Sequence, residues 1–383
     1  MGSQSDWNND MNEYSSVEIK NSEKLTEEDD FDYYYTDDNI ARRREETDLK
    51  GIGVEEEKKE KKQENTKVFV QPCWVKFIVP VIAIISLTFA ALAVYLLAWK
   101  IYHTTHGEMR EESVVLLGGD YGITESYPCN LSIPDVPNSS YAPGAAVLKG
   151  VIYYCGGRLD GVIRNECYKY MGGSWVPAPS MKESRQYFTM TSFDDVILVT
   201  GGDSRSTEMG KSKSIEIFDG YTWTLLEQNL SFGRAGHCPV RISDSTVLLI
   251  GGYISNNTDI STIELYDFSG ILLATLPDMP TPRTGAGCSL FQNEIYVSGG
   301  SLGGYIKQTV EVYNLEGRVW RNIQLMKRHR YLPIMAVVNG NLSVYGGQGS
   351  PSSSMEVYTE EGWVESSMKY NHDGHAGVIV VCN

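Results

Sequence analysis

Six short apolar runs, each closed by two glycines, recur along the C-terminal two thirds of this chain: VVLLGG, VIYYCGG, VILVTGG, VLLIGG, IYVSGG and LSVYGG. The glycine pairs are Gly118-Gly119, Gly156-Gly157, Gly201-Gly202, Gly251-Gly252, Gly299-Gly300 and Gly346-Gly347, spaced 38, 45, 50, 48 and 47 residues apart. A run rich in β-branched and aromatic residues that stops at glycine predicts a buried strand and a sharp turn. A polar loop follows each pair, and then Glu-x-Tyr or Glu-x-Phe: Glu125/Tyr127, Glu166/Tyr168, Glu216/Phe218, Glu264/Tyr266, Glu311/Tyr313 and Glu356/Tyr358. In four repeats a tryptophan comes five to seven residues later (Trp175, Trp223, Trp320, Trp363); the fourth repeat has Leu272 and Leu273 there, and the first has none. Arg185, Arg234, Arg283 and Arg330 precede the next first strand.

Upstream the pattern is different. Phe77 to Trp99 is an apolar stretch of 23 residues without a charge. A helix needs about 20 such residues to cross the hydrocarbon core, so residues 77–99 are expected to span a membrane. The stretch is too long and too deep in the chain for a cleaved secretory peptide. Trp74, Tyr95 and Trp99 suit the interfaces, and lysines 58, 59, 61, 62, 67 and 76 outnumber Lys100 and Arg110 on the other flank. That excess places the N-terminus in the cytoplasm. Asn-X-Ser/Thr sites at Asn130, Asn138, Asn229, Asn256 and Asn341 all follow the span, which agrees with a single-pass type II protein at the plasma membrane.

The formal charge is −16, and residues 1–72 hold twenty of the 49 acidic residues and eleven of the 33 basic ones. Runs such as EEDDFDYYYTDD and EEEKKEKKQE offer too little apolar surface to offset the entropy of ordering, so residues 1–72 are expected to form a disordered acidic tail. Tyr14-Ser-Ser-Val17 has the Tyr-x-x-hydrophobic form of an endocytic signal, and Tyr33, Tyr34 and Tyr35 stand among aspartates as kinase substrates often do. Residues 100–110 form a short stalk. A chain this acidic, with no basic face, is a poor partner for nucleic acid.

Doubled glycine, tyrosine and tryptophan at this spacing resemble the Kelch repeat over residues 111–383. The resemblance implies an all-β propeller in which each repeat forms a four-stranded blade. Radial packing would let each sheet cover its neighbours and leave only short edges. The first repeat lacks a first strand, whereas GHAGVIVV is left over after the sixth. Residues 375–381 are therefore expected to complete the first of six blades.

Six cysteines follow the span. Cys155 and Cys167 occupy facing slots on adjacent strands and are the leading disulfide candidate; Cys129 with Cys382 and Cys238 with Cys288 are weaker ones. Cys73, at the inner border, is a palmitoylation candidate or a buried bystander. P-loop, H-E-x-x-H and C-x-x-C motifs are absent. His372-x-x-His375 has a spacing that suits a metal but lacks a third ligand nearby in sequence, so neither metal nor cofactor is expected.

Binding is thus the leading function. A cell-surface receptor or adhesion protein would use the propeller loops to hold an extracellular protein or glycan, and its tail would meet an adaptor or kinase. The alternative is a tethered carbohydrate-active propeller, similar to sialic-acid mutarotases or copper-radical oxidases.

Overall fold

The computed structural model describes residues 111–204, 210–349 and 351–382, together with residues 85, 88, 89 and 91–97. The acidic tail with Tyr14, Tyr33, Tyr34 and Tyr35, the stalk, Cys73 and much of the 77–99 stretch lie outside the described residues. Residues 85, 88, 89 and 91–97 are helical, with exposed side chains such as Phe89 and Val94. Among the described residues no helix is long and apolar enough to cross a membrane.

Six antiparallel sheets make six blades. From the axis outward, blade two runs Gly144–Leu148, Val151–Cys155, Cys167–Met171 and Ser174–Ala178. Blade three has Thr189–Ser192, Ile197–Thr200, Ser214–Phe218 and Trp223–Asn229, and blade four has Cys238–Arg241, Thr246–Ile250, Ile263–Asp267 and Leu272–Leu276. Blade five holds Thr284–Phe291, Glu294–Leu302, Val310–Asn314 and Val319–Asn322; blade six holds Ile334–Val338, Asn341–Tyr345, Ser354–Thr359 and Gly362–Ser367.

Blade one joins the two ends of the propeller. Ala376–Val381 pairs antiparallel with Glu112–Leu117 from Glu112↔Val381 to Leu117↔Ala376, and Glu125–Tyr127 pairs on the other side. This blade has three strands, not four. Pro128, Pro134 and Pro137 interrupt the segment where a fourth would run, and proline cannot donate to a ladder. Leu131, Ile133 and Val136 still pack against the seam with blade two. Blade five departs the other way: Tyr305–Ile306 folds back on the end of Glu294–Leu302 as a fifth strand.

Apolar burial lies between the blades. Six clusters fill the six seams, and alternate residues of one strand serve opposite neighbours. Val115 and Leu117 face blade two, while Val114 and Leu116 face Ala336, Val338 and Tyr345 of blade six. This is the period-two geometry of a strand used on both faces. The tryptophans latch the seams. Trp175, Trp223 and Trp320 donate Nε1–H to the carbonyls of Pro134, Pro179 and Pro277, and Trp363 to that of Gln324, each just beyond the outer part of the preceding blade, at 2.8–3.0 Å.

Three disulfides tie this frame. Cys155–Cys167 bridges directly opposed residues of blade two. Cys129–Cys382 closes blade one across 253 residues, and Cys238–Cys288 joins the inner strands of blades four and five.

Candidate functional site

The repeated arginine and glutamate meet inside the blades. Arg185 pairs with Glu216, Arg234 with Glu264, Arg283 with Glu311 and Arg330 with Glu356, all with buried side chains. Arg330 also donates to the Gly346 and Ser354 carbonyls at 2.8 and 2.9 Å, so it fastens the loop after the glycine pair. Arg185 does the same at Gly201 and Ser214. Burial lowers the pKa of Arg234, Arg283 and Arg330, and the partner carboxylates oppose that shift. These groups are structural, and none is turned toward a ligand.

Two blades depart from this pattern. In blade one His372 takes the arginine's place, with Nε2 2.9 Å from Glu125 Oε2. His375 is buried beside it, its ring centre 5.4 Å away, and neither of its nitrogens has a hydrogen-bond partner. Burial pushes both histidines down, so they are neutral; among the described residues no three His, Cys, Asp or Glu side chains group to hold a metal. In blade two Ser140 stands at the arginine position and bonds Gly156 O at 2.6 Å, while Glu166 is half-exposed beside Arg164.

All twelve residues of the glycine pairs have positive φ. At Gly299 a Cβ would run into the Arg330 carbonyl, so no other residue fits there. All five sequon asparagines are exposed. The polar loops that sequence singled out lie after the pairs; that of blade three includes residues outside the description, and that of blade four contains the 3₁₀ turn Ser255–Asn257.

The inner strands begin at a second ring that sequence did not disclose. Ala142, Tyr187, Gly236, Gly285, Leu332 and Gly374 hold equivalent positions, and all six are left-handed, with φ between 51° and 62°. Their backbones link blade to blade: Ala142 N–H donates to Gly374 O, Tyr187 to Ala142, Gly236 to Tyr187, Gly285 to Gly236 and Leu332 to Gly285, at 2.7–3.1 Å. Glycine accepts this conformation freely, whereas alanine, tyrosine and leucine pay roughly 1–2 kcal/mol. A Cβ on Gly374 would strike the Tyr141 ring, and one on Gly285 the Tyr331 ring.

Four tyrosines converge there. Tyr187 meets Tyr141 and Tyr253 edge to face, at 5.7 and 6.3 Å between ring centres. Gln348 Nε2 donates to the Tyr141 hydroxyl at 3.1 Å. Tyr253 donates to Asp203 at 2.9 Å. Burial pushes Tyr187 and Tyr331 up to about 12 and raises Tyr141 and Tyr253 as well, so all four are neutral phenols.

Tyr187, Tyr253 and Tyr331 line a cavity of about 490 Å³ together with Asn257, Asp259, Ser301 and Gln348. A second cavity of about 250 Å³ shares Tyr187 and is walled by inner-strand residues, among them Gly144, Ala145, Ala286, Gly287 and Gly377. A wide polar-aromatic mouth thus adjoins a channel lined by small residues. No lysine or arginine lines either cavity.

A closed ring of six pleated wedges with an aromatic axial mouth is a rigid scaffold of the propeller class. Residues 282–326, the fifth blade, match the Kelch motif. The chain is 25% identical over 254 residues to Kelch-like protein terF of Aspergillus terreus, covering 60% of this chain and 55% of that protein. It is 23% identical over 189 residues to Spermatocyte protein spe-26 of Caenorhabditis elegans (48% and 33%), and 25% identical over 167 residues to Alpha-scruin of Limulus polyphemus (40% and 18%). It therefore spans about half the length of the first relative and less of the others. The solved structure of YjhT aligns with 64% of this chain and 88% of its own, with a TM-score of 0.53 and 15% identity, a likeness of fold. The chain is a six-bladed propeller whose fifth blade carries a Kelch motif.

Proposed function

We propose that this protein is a cell-surface binding protein whose propeller holds an extracellular protein at the axial mouth. The observation that carries the reading is the convergence of Tyr187, Tyr253 and Tyr331, from two blades and the loop of a third, around one cavity, with Tyr141 packed edge to face on Tyr187. Aromatic side chains give large contact area at low entropic cost, and they are enriched where proteins bind one another. The uncharged stretch 77–99 supports a membrane tether, and the exposed sequons and three disulfides support an oxidising exterior. The acidic tail with Tyr14 and Tyr33–Tyr35 would then couple binding to trafficking or kinases.

Two features weigh against the carbohydrate-active alternative. Arg185, Arg234, Arg283 and Arg330 are spent on internal glutamates, and no cation lines the cavity to hold a sugar carboxylate. The six cysteines after the span are all in disulfides, which leaves no thiol for a tyrosine–cysteine crosslink.

The test tags each end of the chain and stains cells with and without permeabilisation. A C-terminal tag stained on intact cells, with an N-terminal tag seen only after permeabilisation, is the expected result. A C-terminal tag reached only after permeabilisation overturns the surface reading. Crosslinking on such cells through a photoreactive group at Tyr305, exposed beside the mouth, is expected to capture a protein partner.

A further inference from the structure

Beyond fold and tether, the chemistry of the axial mouth selects among ligands. We propose that the mouth takes a basic side chain, an arginine of the partner, stacked on the tyrosine rings and held by the surrounding aspartates. This rests on the reading of the mouth as a protein-binding site.

The ring faces here already take cations. Lys211 Nζ lies 4.4 Å from the centre of the Tyr253 ring, and the Arg158 guanidinium lies 5.5 Å from that of Tyr141. A tyrosine face attracts positive charge through its quadrupole, and more strongly where water is excluded. Tyr187 and Tyr331 share the same wall but carry no such cation among the described contacts.

The charge around the rings is unbalanced. Asp259 lines the cavity, Asp203 binds Tyr253, and Asp120 and Asp373 lie near enough to Tyr141 to act on its hydroxyl. Against these four carboxylates stand Lys211, paired with Asp203 at 2.9 Å, and Arg158. Asp259 accepts from Gly303 N–H at 2.8 Å, which fixes the carboxylate on the cavity wall. An anionic ligand would meet the Asp259 carboxylate and no lining cation. A guanidinium would meet electron-rich faces and acceptors, and its plane stacks on a ring face in a way that a compact ammonium does not.

The backbone at Tyr187 points the same way. Three of the six equivalent positions use glycine for the left-handed turn, and this one uses tyrosine. Strain held at a residue that lines two cavities is understandable where the ring serves a ligand.

The experiment is calorimetric titration of full-length protein in detergent with acetyl-Gly-Arg-Gly-amide. The citrulline peptide of the same shape without charge, and the neutral sugar N-acetyllactosamine, are titrated alongside. Because the acidic tail also attracts basic peptides, each titration is repeated on Tyr187→Ala and Asp259→Asn, and the difference is the signal. The arginine peptide is expected to bind about tenfold more tightly than the citrulline peptide, and each substitution is expected to remove most of that preference. Tyr331→Phe, which keeps the ring, should retain it and serves as the variant least able to disturb folding. Equal binding of both peptides, with loss in Tyr187→Ala, overturns the cationic ligand while the protein-binding mouth survives. Binding of the sugar alone overturns both readings. Absence of a difference between wild type and the variants overturns the site.

Discussion

Arg330 and Glu356 are buried together, and Nε and Nη2 of the arginine both donate to the same carboxylate oxygen, at 3.2 and 3.0 Å. Glu356 also accepts the backbone N–H groups of Lys327 and Arg328, so one carboxylate gathers the entry of blade six. Removing one partner strands the other charge without water. Glu356→Ala is expected to cost about 3–5 kcal/mol, and the double change Arg330→Met with Glu356→Leu distinctly less. Denaturant unfolding measures both. Glu166→Ala in blade two, where the carboxylate is half-exposed, is expected to cost less than ~1 kcal/mol.

Ring closure sets the second expectation. Cys129–Cys382 closes a loop of 253 residues and Cys155–Cys167 one of 12. In the chain-entropy account the long loop stabilises by about 5 kcal/mol and the short one by about 3. Cys129→Ser with Cys382→Ser should therefore lower the melting temperature more than Cys155→Ser with Cys167→Ser. A non-reducing peptide map gives the pairing, and equal melting of the two variants would contradict the closure. Deleting residues 374–383 removes the inner strand of blade one and should leave an unpaired edge that aggregates.

Acid should weaken the propeller. His237, His372 and His375 are buried and their pKa values are held below the ordinary value, chiefly by desolvation. A basic group with a lowered folded pKa takes up protons in the unfolded chain first, so its stability is whole above about pH 6.5 and falls as pH drops below it. Asp373 acts the other way. Burial raises it to about 6, so its contribution is present near pH 4 and is lost as pH rises through 6. Three histidines outweigh one half-buried aspartate, and the melting temperature should fall between pH 7 and pH 5. His375→Leu removes a ring with no hydrogen-bond partner and should flatten that slope without loss at pH 7.

Glycosylation tests topology and access together. Asn130, Asn138, Asn229, Asn256 and Asn341 are all exposed on the propeller. Protein from mammalian cells should lose mass when treated with an N-glycan-removing amidase, and single Asn→Gln changes should each remove one step. No shift in any of the five would place the propeller on the cytoplasmic side.

Much of this frame is written in the sequence as repetition. The glycine pairs, the Glu-x-aromatic triplets and the preceding arginines recur because each blade solves the same packing problem, so counting them yields the blades and their register. Blade one was harder to read. Its proline-broken segment between Pro128 and Pro137 shows no strand period, and the structure leaves that blade with three strands. The axial mouth was invisible for the opposite reason. Tyr141 and Tyr331 share one repeat position, Tyr187 stands at the next and Tyr253 follows a glycine pair, so no period marks them; only closure of the ring brings them together. The available signal was Tyr187 at a place where Gly236, Gly285 and Gly374 stand in other repeats. The spacing of the histidine pair does not show its role: His372 fills the arginine's place in its own blade.

The joint in blade one also has a mechanical consequence. Glu112–Leu117 enters the propeller first and lies between Ala376–Val381 and Glu125–Tyr127, and Cys382 N–H bonds Glu111 O at 2.7 Å. A pull on the chain ahead of residue 111 therefore runs along a strand gripped on both sides. Its ladder bonds are loaded in shear, all at once, instead of being peeled one after another. The covalent bridge from Cys129 to Cys382 lies behind that grip, so a tug that slipped the strand would still meet a closed loop before it could unravel the ring.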